Sequence, residues 1–450
     1  MRIRQNIARS GVFALASLIP FACQAATPDT TPPLMTLLAF PGGVNGSNPE
    51  VGLTAGPSGA YFGTTYTGGT VDLGMVFELT PPVPPATTWT ETPLYSFQGG
   101  TDGAYPKSAL VAGPNNTFYG TTFYGGASGY GTVFQLTPPV PPATTWTETV
   151  LYSFLSGADG ANPTGDLFVC ATSTLCTVGA IFGTTTYGGA AGTGTVYELL
   201  PPTTGGWTEQ QLYAFQTGTD GANPMTGLLM GTANSGASLA LFGTTYNGGA
   251  DGAGTVFELT PPSAGNTWVE TLIYTFTGMT DGSSPASRVY PGAAGTLLGT
   301  TFFAGSSKAC PLGGFVVGCG TAYQLTPPAK SGGAWTFKTI YTFTGNKKKG
   351  AHPSQGIASN TNGNIYVTTY SGGNTSDTCY GQNNYPGCGT IMQLTPTSST
   401  WTPAVLHVFT GGTDGGSPNG VLIDATGTLY GTDSAGGKSE GYGIVFSMKP

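Results

Sequence analysis

A tripeptide that returns at near-constant spacing constrains this chain more than any other feature. Gly-Thr-Thr starts at Gly63, Gly120, Gly183, Gly243 and Gly299, with degenerate copies at Val367-Thr368-Thr369 and Gly431-Thr432-Asp433. The spacings are 57, 63, 60, 56, 68 and 64 residues. A second marker, Gly-Thr-Val-Phe-Glu-Leu-Thr-Pro or a close variant, follows at Gly74, Gly131, Gly194 and Gly254, and in looser form at Gly320, Gly389 and Gly443. A third is a Trp ahead of an apolar-aromatic run: Trp89, Trp146, Trp207, Trp268, Trp335 and Trp401, which are all the tryptophans present. Three interleaved markers in fixed order define seven units of about 60 residues.

Each marker reads as a strand. Gly-Thr-Val-Phe-Glu-Leu is β-branched and aromatic, with Gly before it and Pro after. The run Trp146 to Phe154 is a second strand, and Tyr119-Gly-Thr-Thr a third, its Gly pointing to close approach of a neighbour. Ser108-Ala-Leu-Val is a short fourth. No useful helical period appears. Gly and Pro total 109 of 450 residues (74 and 35), a proportion that without a period would mean disorder. With the period, and with 39% apolar residues to build a core, the fold class is all-β: a seven-bladed β-propeller with four antiparallel strands per blade.

The strands are named A (Ser108-Ala-Leu-Val), B (Tyr119-Gly-Thr-Thr), C (Gly131-Thr-Val-Phe) and D (Trp146 to Phe154). Residues 34–450 hold the propeller. The segment Met35-Thr-Leu-Leu-Ala-Phe matches D, whereas the chain closes on Gly443-Ile-Val-Phe-Ser-Met, which matches C. The N-terminal strand is therefore expected to complete the last blade and leave no open sheet edge.

Residues 1–25 read as a secretory signal peptide, with Arg2, Arg4 and Arg9 ahead of a short apolar stretch and a small-residue cleavage site at Cys23-Gln24-Ala25 before Ala26; the alternative is lipidation at Cys23, for which Pro20-Phe21-Ala22 is a poor lipobox. Residues 26–33 form a short lead. Removing the leader takes away three of 13 basic residues and no acid, so the net charge moves from −8 to −11 (10 against 21). An acidic exported chain of this kind is not a phosphate-backbone binder, and no nucleic-acid partner is expected. No later apolar run could span a membrane. The protein is expected to be secreted or periplasmic and monomeric. The remaining six cysteines fall into three local pairs, Cys170/Cys176, Cys310/Cys319 and Cys379/Cys388. They are expected to be disulfides, since no Cys-x-x-Cys spacing occurs and only His352 and His407 are available as further ligands. No metal and no cofactor is expected.

The combination Tyr-Gly-Thr-Thr…Gly-Gly…Gly-Thr-Val-Phe-Glu-Leu-Thr-Pro…Leu-Tyr-Ser-Phe resembles the GloVer-type tandem repeat of bacterial exported proteins, over nearly all of residues 34–450. That resemblance implies a propeller-like repeat and export. Proteins of that family carry varied C-terminal surface anchors, whereas this chain ends on its last strand. The family brings no catalytic residues to transfer.

In a propeller the D–A and B–C loops share one face. The D–A loops carry Asp102, Asp159, Asp220, Asp281 and Asp414, each before Gly and three residues ahead of a residue-Pro pair. As a turn, Asp bonds its own backbone; as a site, five carboxylates would ring the channel mouth. The B–C loops begin with aromatics (Tyr66, Tyr124, Tyr187, Tyr246, Phe303 and Tyr370) that either pack between blades or stand at a rim suited to sugar stacking. Lys348 and His352 lie in the one basic stretch of the mature chain, Lys347 to His352, beside the enlarged cysteine-bearing loops of blades five and six. The five aspartates, Tyr124, Tyr246, Tyr370, Lys348 and His352 are the candidate ligand-binding set, and no catalytic residue is assigned. The glutamates Glu78, Glu91, Glu148, Glu198, Glu209 and Glu258 repeat with the blades, which suits structure better than a single acid/base pair. Asp433, replacing Thr in the last Gly-Thr-Thr copy, is the exception. The function expected is binding of glycan or protein through the face carrying the Asp-Gly and Gly-Gly loops. The alternatives are a carbohydrate-active enzyme using carboxylates on that face and a non-catalytic surface or matrix scaffold.

Overall fold

The computed structural model describes residues 33–450 apart from 173–175, 234–238, 263–267, 306–309, 313–314, 331, 346–348, 374–386 and 438–440. The leader read at 1–25, Lys348 and Cys379 lie outside the described residues. Seven four-stranded antiparallel sheets follow one another along the chain, and no α-helix occurs among the described residues. Blade two is typical. Strand A is Gly103–Pro106 and Val111–Ala112, B is Phe118–Gly125, C is Thr132–Thr137 and D is Thr147–Ser153. Strand A thus begins five residues earlier than the sequence suggests. The Asp-Gly element is its start, and proline, which has no N–H to donate, interrupts the ladder.

The ring closes through the N-terminal strand. Met35–Ala39 pairs antiparallel with Ile444–Met448, with Met35 opposite Ser447 and Ala39 opposite Ile444. The last blade therefore has the order D, C, B, A, with D taken from the start of the chain.

Three contacts repeat at the blade junctions. The D-strand phenylalanine of one blade is fully buried against the C-strand aromatic of the next. Ring centroids are 5.2 Å apart for Phe40–Phe77, Phe97–Phe134 and Phe215–Phe257, 5.1 Å for Phe154–Tyr197, 5.3 Å for Phe276–Tyr323 and 5.6 Å for Phe409–Phe446. The glycine of Gly-Thr-Thr makes room for that ring: a Cβ on Gly63 would lie 2.6 Å from the Phe77 ring, and one on Gly120 equally close to Phe134. Blade six shows the same rule by exchange. Val367 stands where the other blades have Gly, and the residue opposite is Met392, not an aromatic. Volume is conserved across the pair.

The second contact is a hydrogen bond. The residue before each strand-A proline (Asn48, Tyr105, Asn162, Asn223, Ser284, His352, Ser417) has a φ of 53–60°. Its N–H donates to the preceding blade at 2.7–2.9 Å, for example Tyr105 to Leu73 O and Asn48 to Tyr442 O. The third is steric. The following proline ring packs on the glycine that opens strand C of the preceding blade, as Pro106 does on Gly74 and Pro49 on Gly443. The Pro49 and Asn48 contacts join the first blade to the last, so ring closure uses the same parts as every other junction.

Within a blade, the second Thr of Gly-Thr-Thr bonds the first Thr of strand C. The oxygens are 2.8 Å apart for Thr122/Thr132, Thr185/Thr195, Thr245/Thr255 and Thr301/Thr321, and 2.9 Å for Thr369/Thr390. In blade seven the pair is Asp433 and Ile444. Asp433 is fully buried and neither carboxylate oxygen has a hydrogen-bond partner. Burial, with Asp414 nearby, raises its pKa well above the ordinary range. A buried polar group without a partner is destabilising. Asp433→Thr should therefore raise stability at pH 7 by about 1–3 kcal/mol. Because the folded-state pKa is the higher one, the gain should shrink as pH falls toward 4. Unfolding midpoints at pH 4 and pH 7 test this, and an unchanged or lowered midpoint at pH 7 would contradict it.

Two of the three expected disulfides have both halves among the described residues. Cys170–Cys176 ties the A–B loop of blade three, and Cys310–Cys319 the B–C loop of blade five. The third expected pair, Cys379/Cys388, is described on one side only. Cys388 is buried just ahead of strand C of blade six, in the cluster formed by Ile391, Phe409 and Ile444, and its sulfur is disulfide-bonded. Its expected partner, Cys379, lies among residues 374–386, outside the described residues.

Candidate functional site

The strand-A segments surround a central cavity of about 1130 Å³. Two rings of side chains line it, set by the two-residue period of the strand. The residue after each strand-A proline forms the upper ring: Glu50, Lys107, Thr164, Met225, Ala286, Ser354 and Asn419. The residue preceding each buried strand-A aliphatic forms the ring below: Gly52, Ala109, Asp166, Gly227, Arg288, Gly356 and Gly420. Five of these seven are Gly or Ala, which leaves the middle of the channel open.

Where blades one and two meet, an aromatic cluster packs around the cavity-lining Lys107. Tyr105 lies 4.9 Å from Tyr66 and 6.0 Å from Tyr124, and Tyr124 is edge-on to Phe123 at 4.6 Å. Lys107 Nζ sits 5.2 Å from both the Tyr66 and Phe123 rings and 3.7 Å from Glu50. Across the cavity, Phe302 and Tyr370 reach the lining from blades five and six, with Tyr246 from blade four. Tyr124 is 46% exposed, and Tyr187 of the next blade 48%.

His352 does not face the cavity. It is completely buried, stacks on Phe302 at 5.0 Å, and its Nδ1 lies 2.6 Å from Ser371 Oγ. Burial pushes its pKa down to about 4, so the ring is neutral at pH 7.

The five aspartates are related by symmetry and not by proximity. Each carboxylate is taken up by its own turn and by the D strand seven residues back. Asp102 accepts from Tyr95 Oη at 3.0 Å, Gln98 N at 2.7 Å and Gly103 N at 2.8 Å. Asp159 accepts from Tyr152 Oη at 3.1 Å and Leu155 N at 2.7 Å. Asp220 is held by Tyr213 and Gln216, and Asp281 by Tyr274 and Thr277. In the last copy His407 Nε2 replaces the tyrosine, 3.1 Å from Asp414. None of the five lines the cavity. Of the candidate set, Tyr246 and Tyr370 do, and Tyr124 belongs to the aromatic cluster beside Lys107 without lining the cavity itself.

Sequence reading passes over Tyr105, Lys107, Asp166 and Arg288. The last two have a signal: the first six strand-A segments, aligned on their proline, carry Gly or Ala three residues on, except for a lone Asp and a lone Arg, whereas blade seven is one residue shorter there.

No curated protein sequence matches this chain. Among solved structures, three similar ones are distant. The PQQ-bound aldose sugar dehydrogenase from Streptomyces coelicolor is 12% identical, with a TM-score of 0.44, covering 79% of this chain and 95% of that one. PhoX from Pseudomonas fluorescens, in complex with vanadate, is 8% identical, with a TM-score of 0.44 and coverages of 93% and 95%. A gluconolactonase from Xanthomonas campestris is 12% identical, with a TM-score of 0.38 and coverages of 79% and 88%. These values leave nothing of those proteins' chemistry to carry over. The repeat pattern itself is closer to home. Residues 83–312, just over half of the chain, match the Gloeobacter/Verrucomicrobia repeat. With seven copies in register around one ring, this chain belongs to the Gloeobacter/Verrucomicrobia repeat family.

Proposed function

We propose that this propeller is an exported carbohydrate-binding protein that takes its ligand at the mouth of the central cavity, on the face formed by the D–A and B–C loops. The observation that carries the reading is the cluster of Tyr66, Tyr105, Tyr124 and Phe123 beside Lys107 and Glu50. Aromatic faces pack against the C–H face of a sugar ring, and flanking charged groups bond its hydroxyls. The cavity exceeds the roughly 300–1,000 Å³ of ordinary ligand pockets, which gives room for more than one sugar unit. The Asp-Gly turns support the rim by fixing where each loop begins. Export is supported by the leader-like residues 1–25 and by the disulfides, which persist in oxidising compartments.

A glycan array read for both binding and hydrolysis tests the proposal. Binding without turnover is expected. Tyr124→Ala, at an exposed position where folding is not at stake, should weaken binding about 3- to 10-fold, the usual worth of one aromatic contact. Turnover, or binding indifferent to both Tyr124→Ala and Tyr66→Ala, would overturn it.

A further inference from the structure

The inner ring of the cavity is small in five of seven blades, and the Arg288 side chain lines the space this leaves. Arg288 rises from strand A of blade five, its guanidinium carbon 4.8 Å from the centre of the Tyr290 ring. Its Nε is buried without a hydrogen-bond partner. No carboxylate of a described residue comes within ion-pair distance of it. The nearest acid on its ring is Asp166, two blades away, with only Gly227 between them at that level. Asp166 Oδ1 is occupied by the Ala109 N–H at 2.9 Å. The other cavity cation, Lys107, already has Glu50.

The guanidinium meets the Tyr290 hydroxyl and feels the Asp166 charge across the cavity without forming an ion pair with it; an arginine so placed in a partly enclosed cavity is poised for a bidentate anion. Asp166 on the same ring lowers the tolerance for a second negative charge, so a monoanion fits better than a phosphate dianion. We infer that Arg288 anchors the carboxylate of an acidic sugar, such as a uronic acid unit, that reaches the inner ring of the central cavity. Resting on the carbohydrate reading above, this names the sugar class. The rim aromatics would hold neighbouring units while the carboxylate lies one ring deeper.

The test is calorimetric titration with trigalacturonate and with its carboxyl-reduced, neutral counterpart, on the whole chain. The acid should bind about 10- to 100-fold tighter than the neutral sugar, the range expected of a charge-assisted bidentate contact. Arg288→Gln should remove that preference, bringing the acid's affinity down to that of the neutral sugar. Arg288→Lys keeps the charge, loses the fork, and should retain only part of the preference. It also serves if Arg288→Gln fails to fold, which a thermal melt reports. Equal affinity of wild type for both sugars, or a preference that survives Arg288→Gln, would overturn the inference and leave the carbohydrate reading standing. Failure of both sugars, with neutral glycans also silent on the array, would sink the two together.

Discussion

Gly443→Ala should lower the stability of this protein by about 2–5 kcal/mol. Gly443 opens strand C of the last blade with φ of 97°. An L-residue there costs roughly 1–2 kcal/mol for its conformation alone. A Cβ would also lie 2.4 Å from Asp433 O and 2.7 Å from Pro49 Cδ. Both are parts of packed backbone or ring and cannot swing aside, so a further ~1–3 kcal/mol of overpacking is expected. The same clash exists between Gly254 and Pro285 at an internal junction, so Gly254→Ala should cost about as much. Gly206→Ala is the control, since nothing lies within 4 Å of its Cβ position and its φ is ordinary. Denaturant midpoints of the three variants decide the matter. If Gly443→Ala behaves like Gly206→Ala, the junction does not depend on proline-on-glycine contact.

Replacing Glu91, Glu148, Glu209 and Glu270 by Gln together should stabilise the protein at pH 8 and leave it nearly unchanged near pH 4. These four occupy one position of strand D in blades one to four, opposite Leu79, Leu136, Leu199 and Leu259. Each has its Oε1 buried without a partner. Burial pushes each pKa up to about 7, and for Glu148, Glu209 and Glu270 a neighbouring aspartate adds to it. The sign follows from linkage. The folded pKa lies above the unfolded value, so the contribution is fully present below about pH 4.5 and is lost as pH rises through 7. Allowing for partial solvent access, the loss is about 1 kcal/mol per glutamate. His352 acts in the opposite direction: held neutral in the fold, it costs stability as pH falls from 6.5 toward 4. Comparing variant with wild type at each pH cancels that effect. A stability difference that does not grow between pH 4.5 and 8 would refute the assignment.

Blade five already carries an apolar replacement at this position. Phe337 stands there, opposite Leu325, and stacks on Tyr274 with centroids 4.0 Å apart. Sequence reading places the repeating glutamates with the structure because they recur with the blades. It could not show that they are half-sequestered.

Much of the fold is legible because it is periodic. Gly-Thr-Thr, Gly-Thr-Val-Phe and the Trp runs are local patterns repeated round the ring, and each copy must meet its neighbours in the same way. Strand order, blade number and the return of Met35–Ala39 to Ile444–Met448 follow from counting. The start of strand A is not legible, because Asp-Gly and residue-Pro look like turn signals. The φ-positive residue before proline keeps its inter-blade hydrogen bond all the same, and that is a property of two blades together.

The amino-acid order alone determined that the chain closes into seven sheets, since each unit has an apolar surface that only another copy can cover. Tertiary structure alone decided which side chains share the cavity. Asp166 and Arg288 are 122 residues apart and belong to different units, and Tyr66 of blade one meets Tyr105 of blade two only at their junction. Periodicity states what is the same in every blade; a recognition site is built from what differs, and differences acquire meaning only when the ring sets them face to face.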